Sequence, residues 1–290
     1  MLVPRQIYLC GGGVNVIAHL GALKVLQAKG YLKNIKSWLG VSAGALMALC
    51  FVIGFTVEEI EQVYMKFDFT NVSDIDSAPG WIMNCGMDTG HRLRKLIEAV
   101  LHIKGYSDTI TFKELSEKCH ISLKVYVTDL NLAKLLCFSA DSSPDRSVVD
   151  AVRASMSIPY YFQPFIDPET NHIFVDGAVI SNYPFFMLSP HEASETLGIF
   201  IDTSPDQKEE LGVDDLLLRP MRIVLSMRSK YEVELYKDQT IYVNSGDRNP
   251  VNFAISEESK KELMDLGKKA ADEYFENKKR AKPPRRYSVG

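Results

Sequence analysis

The segment 40–44 reads Gly-Val-Ser-Ala-Gly and lies between an apolar run at 37–39 and helix-forming residues at 45–49. A Gly-x-Ser-x-Gly sequence at a junction of this kind is typical of a nucleophile elbow, in which a sharp turn exposes the serine at a helix N-terminus. Gly40 and Gly44 flank Ser42 because such a turn leaves no room for neighbouring side chains. An ordinary glycine turn is the alternative, so the hypothesis of a nucleophilic Ser42 depends on other segments.

A glycine triplet at 11–13 separates a predicted strand, 6–10, from a predicted helix, 16–29. Backbone N–H groups at such a position can stabilise an anion. A dinucleotide-binding fingerprint would need a glycine at Val16, and a P-loop would need Gly-Lys-Ser/Thr, which is absent from the segment. We therefore predict an oxyanion hole, with a glycine turn needed only for packing as the alternative. The predicted donors are the N–H groups of Gly11, Gly12, Gly13 and Val14.

An aspartate, Asp176, follows a third predicted strand, 173–175, and Gly177 gives the chain room to turn. This position is suitable for a general base, although Asp-Gly pairs are also common in surface turns. In water an aspartate with a pKa near ~3.9 is a weak base. Burial would raise that pKa, so Asp176 can accept a proton from a serine without a histidine.

The segments together resemble the patatin-like phospholipase family, in the order in which that family has them. The resemblance extends from about residue 6 to 184. Its motifs are the glycine triplet with the helix through 19–23, the pentapeptide 40–44, and the segments 154–164, 176–178 and 182–184. The family implies a Ser–Asp dyad, with Ser42 as nucleophile and Asp176 as base. It also implies a Ca²⁺-independent lipid acyl hydrolase of the phospholipase A type, which forms an acyl-serine intermediate.

One departure from the family lies directly after the glycine loop. The family usually has a basic residue and then a glycine there, whereas this chain has Asn15 and Val16. Asn15 supplies no positive charge beside an oxyanion. A catalytically weak or silent lipid-binding protein on the same fold therefore remains the alternative to an enzyme.

Two other catalytic classes fit the sequence less well. A Ser-His-Asp hydrolase would need a histidine after the acid, and His191 follows Asp176 by only fifteen residues. Asp88-Thr89-Gly90 has the spelling of an aspartic-protease site, but a second such triplet is missing from the sequence. We interpret Asp88 as a capping residue of the helix that begins near Gly90.

Strands alternate with predicted helices, which indicates an α/β fold: a three-layer α/β/α sandwich with a mainly parallel central sheet, followed by C-terminal helices. We expect a single catalytic domain at 1–277. The uncharged stretch 38–55 is better explained as strand, elbow and buried helix than as a membrane span. From about residue 214 an apolar face is expected to cover the sheet or to form the rim of a lipid pocket. Its members are Leu216, Ile223, Met227 and Tyr231.

Cysteine usage and the N-terminal sequence bear on location. The five cysteines are scattered, without a Cys-x-x-Cys motif, and residues 1–6 leave no room for a secretory signal. We therefore expect free thiols and a cytoplasmic protein. Neither a metal site nor a cofactor is predicted.

The segment 278–290 is a basic tail, which we expect to be disordered. Removing its six basic residues would change the formal net charge from −4 to −10. The tail can attract anionic lipid head groups, act as a nuclear address or be a solvated end. The expected partners are a lipid substrate and, peripherally, a membrane surface. The acidic body argues against nucleic acid.

Overall fold

Strands and helices alternate along most of the chain in the computed structural model, which describes residues 3–74, 85–205, 207 and 209–280. The strands are β1 (Gln6–Leu9), β2 (Ser37–Val41), β3 (Gly86–Asp88), β4 (Ser122–Asp129), β5 (Lys134–Phe138), β6 (Tyr160–Phe162), β7 (Phe165–Ile166), β8 (Ile173–Asp176), β9 (Thr196–Asp202) and β10 (Thr240–Asn244). The α-helices are α1 (Ile17–Ala28), α2 (Ala43–Val52), α3 (Val57–Lys66), α4 (His91–Ile103), α5 (Phe112–Cys119), α6 (Val148–Ser155), α7 (Pro190–Glu195), α8 (Val213–Leu235) and α9 (Glu257–Arg280).

In the central sheet the strands β10, β9, β1, β2 and β4 are neighbours in that order; β5 and β8 also pair with β4, and β7 pairs with β8. The pairs from β10 to β4 are parallel, whereas β8 and β5 run antiparallel to β4 and β7 runs antiparallel to β8. Helices pack around this sheet. The predicted α/β fold with a mainly parallel sheet and C-terminal helices is therefore confirmed.

Helices α1 and α9 lie in close contact, through glycines on both sides. A Cβ atom at Gly21 would lie 1.8 Å from the carbonyl oxygen of Met264, and one at Gly267 would lie 1.8 Å from that of Ala18. Only hydrogen at these two positions lets the backbones approach so closely. Helix α9, the last helix of the described chain, therefore packs directly against α1, the first.

The sequence has Thr-x-x-Glu at 56–59 and at 111–114, a pattern that predicts the start of a helix, and both helices are present. Thr56 and Glu59 exchange side-chain and backbone hydrogen bonds at the start of α3, and Thr111 and Glu114 do so at the start of α5. By contrast, β10 corresponds to no predicted strand. The composition of 71–85, rich in Asp, Ser, Gly and Asn, predicts a loop, but 75–84 lie outside the described residues.

Two expectations concern the C-terminal part. Leu216, Ile223, Met227 and Tyr231 share one face of α8, and this face is exposed, so of the two expected alternatives it does not cover the sheet. Helix α9 continues to Arg280, so the first three residues of the predicted tail are helical, and 281–290 lie outside the described residues. No helix in the described ranges is long and apolar enough to cross a membrane.

Candidate active site

Ser42 connects the end of β2 to the start of α2 in a strained conformation. Its φ of 54° and ψ of −133° lie in a region that residues other than glycine rarely adopt. Neighbouring glycines allow this turn to pack: a Cβ at Gly40 would lie 2.5 Å from Ala45 Cα, and one at Gly44 would lie 2.4 Å from the Leu9 carbonyl oxygen. The predicted strand–turn–helix geometry around Ser42 is present.

The elbow is held by a serine that the sequence reasoning did not single out. The Ser42 N–H donates to Ser155 Oγ at 2.9 Å, and the Ser155 hydroxyl donates to the Tyr126 carbonyl at 2.7 Å. Ser155 is fully buried at the end of α6. It therefore links the strained turn to β4. The only signal in the sequence was its place in the segment 154–164.

Strand registers bring Asp176 to Ser42. Strands β2 and β5 both pair with β4 at Val125 and Tyr126, so they lie on opposite edges of β4. Strands β8 and β5 both pair with β4 at 127–129, so they too must lie on opposite edges of β4. Strand β8 is therefore on the same edge as β2. On that edge Val41 pairs with Tyr126, and Asp176 pairs with the next residue, Val127. The ends of β2 and the antiparallel β8 therefore meet.

The Asp176 carboxyl group is buried, and the Ser42 hydroxyl lies close enough to lower its pKa. Its Oδ1 also accepts the Ala178 N–H at 2.8 Å, and the Asp176 N–H donates to the Ser157 carbonyl at 2.9 Å. Burial raises the pKa of Asp176 to about 7, and the Ser42 hydroxyl and the Ala178 N–H oppose that rise. An aspartate with this pKa can accept a proton near neutral pH.

Two of the four predicted oxyanion donors already have acceptors. The Gly11 N–H donates to Asn182 Oδ1 at 2.7 Å, and the Val14 N–H donates to the Pro250 carbonyl at 3.0 Å. These two N–H groups are therefore already occupied in the structure. Among the described residues, the N–H groups of Gly12 and Gly13 have no such partner, and both glycines line the pocket that contains Ser42 and Asp176.

Asn15 connects the glycine loop to a distant segment of the chain through a hydrogen bond. Its side chain is buried, and its Nδ2 donates to the Arg248 carbonyl at 3.2 Å. Because the Val14 N–H also donates to the Pro250 carbonyl, two consecutive residues of the loop are hydrogen-bonded to the segment 248–250. A Cβ at Gly13, whose φ is +54°, would lie 1.9 Å from the Pro250 carbonyl oxygen. The segment 248–250 therefore supports the loop, a role that no local sequence signal indicated.

The histidines do not form a catalytic triad with these residues. His19 is buried in α1 with its Nε2 2.9 Å from the Cys10 carbonyl, and burial lowers its pKa to about 4. His172 pairs with Asp129, and the exposed His191 lies near Glu195. Within the described residues, no hydrogen bond joins a histidine to Ser42 or Asp176.

Ser42 lies where two pockets meet. One pocket is apolar and runs between α2, α3 and α4; its lining includes Leu46, Phe55, Leu93, Leu96, Val100 and Phe162. The other is more polar and also contains Asp176; its lining includes Asp202, Ser204, Arg222, Ser226 and Ser229. This arrangement suits an amphiphilic ligand whose reactive bond lies between an apolar and a polar part. The described residues contain no cluster of side chains able to hold a metal ion.

A family model described as Patatin-like phospholipase matches residues 7–189, which include the glycine loop, Ser42 and Asp176. The chain belongs to the patatin-like phospholipase family. This chain is also similar to the uncharacterized protein YqhO of Bacillus subtilis, with 26% identity over 284 residues, which cover 90% of this chain and 94% of YqhO. The probable lipid hydrolase 463L of Invertebrate iridescent virus 6 is 29% identical over 182 residues, which cover 62% of this chain and 61% of that protein.

The fold of this patatin-like protein is also similar to that of VipD from Legionella pneumophila. The two have a TM-score of 0.65 at 18% identity, and the match covers 95% of this chain and 67% of VipD. At this identity the similarity concerns the fold alone. Three observations favour lipid hydrolysis: the family to which the chain belongs, a relative named as a lipid hydrolase, and the two pockets that meet at Ser42.

Proposed function

We propose that the protein is a Ca²⁺-independent lipid acyl hydrolase of the phospholipase A type, with Ser42 as nucleophile and Asp176 as general base. The observation that carries this proposal is the Ser42 hydroxyl beside the buried Asp176 carboxyl group, at the meeting point of the two pockets. A serine hydroxyl becomes an effective nucleophile when a neighbouring base accepts its proton.

The reaction proceeds in two halves. In the first, Asp176 accepts the Ser42 hydroxyl proton while Oγ attacks the ester carbonyl carbon, and the N–H groups of Gly12 and Gly13 stabilise the oxyanion. When the tetrahedral intermediate collapses, the C–O bond to the alcohol breaks, and Asp176 returns the proton to the leaving oxygen. The products of this half are the free alcohol and an acyl ester on Ser42.

In the second half, Asp176 accepts a proton from water as the hydroxide attacks the acyl carbonyl. Collapse releases the fatty acid, and the proton returns to Ser42. Backbone N–H groups supply the stabilising dipoles in both halves, so we assign no step to Ca²⁺. The raised pKa of Asp176 serves both roles, because a carboxyl group that titrates near neutral pH both accepts and donates protons readily.

Each of the two pockets holds one part of the substrate. The fatty-acyl chain lies in the apolar pocket, where it excludes water from Asp176 and maintains its raised pKa. The alcohol part, which is a head group or a lysolipid, occupies the polar pocket. Lipids of this kind are held in membranes, so we propose that the protein acts peripherally at a membrane surface.

The test is fatty-acid release from mixed phospholipid vesicles in EDTA, with Ser42→Ala and Asp176→Asn beside the wild type. Ser194, an exposed serine, provides the matched control Ser194→Ala. We expect both site variants to lose release and the control to retain it. Labelling by a fluorophosphonate should occur at Ser42 and slow greatly in Asp176→Asn.

A silent lipid-binding protein is the alternative, and the absence of a basic residue at Asn15 is the observation that favours it. Such a protein would bind vesicles yet release no fatty acid from phospholipids or from a short activated ester. Release that persists in Ser42→Ala would contradict both possibilities.

A further inference from the structure

One face of helix α8 forms part of the wall of the polar pocket. Arg222, Ser226 and Ser229 line the pocket from this helix. Their spacing of four and three residues places them on the same face, in successive turns. Asp202, the last residue of β9, and Ser204 line the pocket as well. All five residues follow the segment 7–189 that matches the family model, so the family motifs do not define this wall.

The two ionised side chains of this wall already have partners of opposite charge. Arg222 Nη2 donates to Asp247 Oδ1 at 2.8 Å and also to the Thr203 carbonyl at 3.0 Å. The Oδ2 atom of Asp202 lies 3.5 Å from Lys230 Nζ. A charged ligand would therefore have to compete with these partners. The groups that remain for recognition are the serine hydroxyls.

A chain of hydrogen bonds determines where the proton of the Ser226 hydroxyl points. The Asp202 carboxyl group accepts the Ser204 N–H at 2.9 Å and also the hydroxyls of Ser204 and Tyr242. Burial would raise the pKa of Asp202, but these hydrogen bonds hold it below its ordinary value, so the group is ionised and only accepts. The Ser204 hydroxyl therefore donates to Asp202, and its contact with the Ser226 hydroxyl uses the proton of Ser226.

This orientation limits what Ser226 offers to a ligand. A hydroxyl group has one donor and two acceptor sites, and the donor of Ser226 is already used by Ser204. Only oxygen lone pairs of Ser226 are left to face the pocket. A phosphate or carbonyl oxygen, which only accepts, would meet those lone pairs without a proton between them. The group that fits beside Ser226 is a donor such as a ligand hydroxyl.

Ser229 supplies a second hydroxyl one turn further along α8. It is only 4% exposed and lines the polar pocket. Within the described parts of the chain, its hydroxyl has no hydrogen-bond partner. Burying a hydroxyl without a partner is unfavourable, and buried polar groups in folded proteins are nearly always paired. An unpaired hydroxyl in the wall of a pocket therefore indicates a polar ligand atom beside it.

We propose that the polar pocket binds a polyol, with Ser226 accepting one ligand hydroxyl and Ser229 forming a hydrogen bond with another. The inference rests on the proposed function, because it names the class of alcohol in the ester that is hydrolysed. Glycerol, inositol and sugars have several hydroxyl groups and no charge. A choline head group has neither an O–H nor an N–H donor and would leave Ser226 without a partner. The polyol belongs either to a phospholipid head group or to a monoacylglycerol.

Two pairs of soluble substrates test the proposal and distinguish the two sources. Dihexanoyl phosphatidylglycerol and dihexanoyl phosphatidylpropanol have the same charge and acyl chains and differ only in two hydroxyls. The same difference separates 1-hexanoylglycerol from propyl hexanoate. In at least one pair we expect the wild type to have a kcat/KM about tenfold higher for the polyol ester, and that pair identifies the source.

Variants of the two serines assign this preference to the pocket wall. Ser226→Ala and Ser229→Ala should each reduce the kcat/KM ratio within the preferred pair by about fivefold, because each removes one hydrogen bond to the polyol. The control Ser194→Ala, at an exposed position, should retain the ratio of the wild type. A wild-type ratio near one in both pairs, or a ratio that neither pocket variant changes, would overturn the polyol site.

Failure of the catalytic proposal gives a different result, because none of the four esters would then be hydrolysed by any variant. Binding of 1-O-hexylglycerol, an ether that cannot be hydrolysed, tests the polyol site in that case too. Ligand-observed NMR should show binding to the wild type and to Ser42→Ala, and about fivefold weaker binding to Ser226→Ala and Ser229→Ala. Equal binding to the wild type and to both pocket variants, or no binding to any of them, would contradict the proposal.

Discussion

Asn182 forms two hydrogen bonds with the backbone of Gly11: its Oδ1 accepts the N–H at 2.7 Å, and its Nδ2 donates to the carbonyl oxygen at 3.1 Å. The Tyr8 hydroxyl in turn donates to the Asn182 carbonyl at 3.1 Å. Asn182 follows Asp176 by six residues. One short segment therefore contains the candidate base and also holds the first residue of the glycine loop.

Replacing Asn182 by alanine should impair catalysis more than it impairs folding. The substitution leaves two polar backbone groups of Gly11 without partners, which costs about 1–3 kcal/mol of unfolding free energy. The freed loop would no longer hold the N–H groups of Gly12 and Gly13 in place, so we expect kcat/KM for a soluble ester to fall by about 10- to 100-fold. Asn277→Ala on the exposed side of α9 is the control. A kcat/KM within twofold of the wild type would contradict this role.

The pH dependence of the reaction should report the Asp176 carboxyl group. Only its ionised form accepts the Ser42 proton, and its pKa is raised to about 7 by burial. We therefore expect kcat/KM for a soluble ester to increase with pH through an apparent pKa near 7 and then to level off. A midpoint near ~4, the value of a carboxyl group in water, would show that Asp176 is not the base in a dry site.

The same pKa predicts how pH affects the stability of the fold. The carboxyl pKa rises on folding from its ordinary value of 3.8 to about 7, so the folded protein binds a proton that the unfolded chain has released. The free energy of unfolding should thus decrease as the pH rises from about 4 to about 7 and stay lower above that range. Asp176→Asn removes this penalty.

Urea unfolding at pH 4 and pH 8 measures this effect. We expect the Asn variant to exceed the wild type in stability at pH 8, by on the order of 2–4 kcal/mol, and to match it at pH 4. Equal stability of the two proteins at both pH values would mean that burial of the carboxylate carries no penalty.

The apolar pocket should select substrates by acyl-chain length. Val100 lines this pocket from α4, and tryptophan at that position would fill part of the space. We expect Val100→Trp to reduce kcat/KM for long-chain esters by about tenfold relative to short-chain ones, measured on a matched ester series. Leu132→Trp, at an exposed position far along the chain, should leave the ratio unchanged. Equal losses on all chain lengths would place the acyl chain elsewhere.

The local patterns of the sequence were sufficient for the elements that carry Ser42 and Asp176. Strand, turn and helix follow one another within a few residues there, and glycines mark the close approaches. Partners from distant parts of the chain could not be predicted in the same way. Ser155 and Asn182 act on backbone groups that are 113 and 171 residues away in sequence. The predicted oxyanion donors are an example. The glycines are recognisable in the sequence, but the residues that accept the Gly11 and Val14 N–H groups are not.

Helix α8 shows a second limit. The spacing of Leu216, Ile223, Met227 and Tyr231 correctly predicted a shared face. It did not indicate whether that face contacts the sheet or solvent, because periodicity reports which side chains lie together and not what covers them. Strand β10 was missed because a run of five residues at 240–244 gives little periodic signal.

The close contact between α1 and α9 has a consequence for truncated forms of the gene product. The segment that matches the family model ends at 189, yet β9, which lies beside β1, and α9, which lies against α1, both come later. A stop codon at 190 would therefore yield a polypeptide with every candidate catalytic residue, but one side of β1 and the side of α1 that faces α9 would lose their neighbours. Such a product would be a substrate for cellular proteases rather than an enzyme.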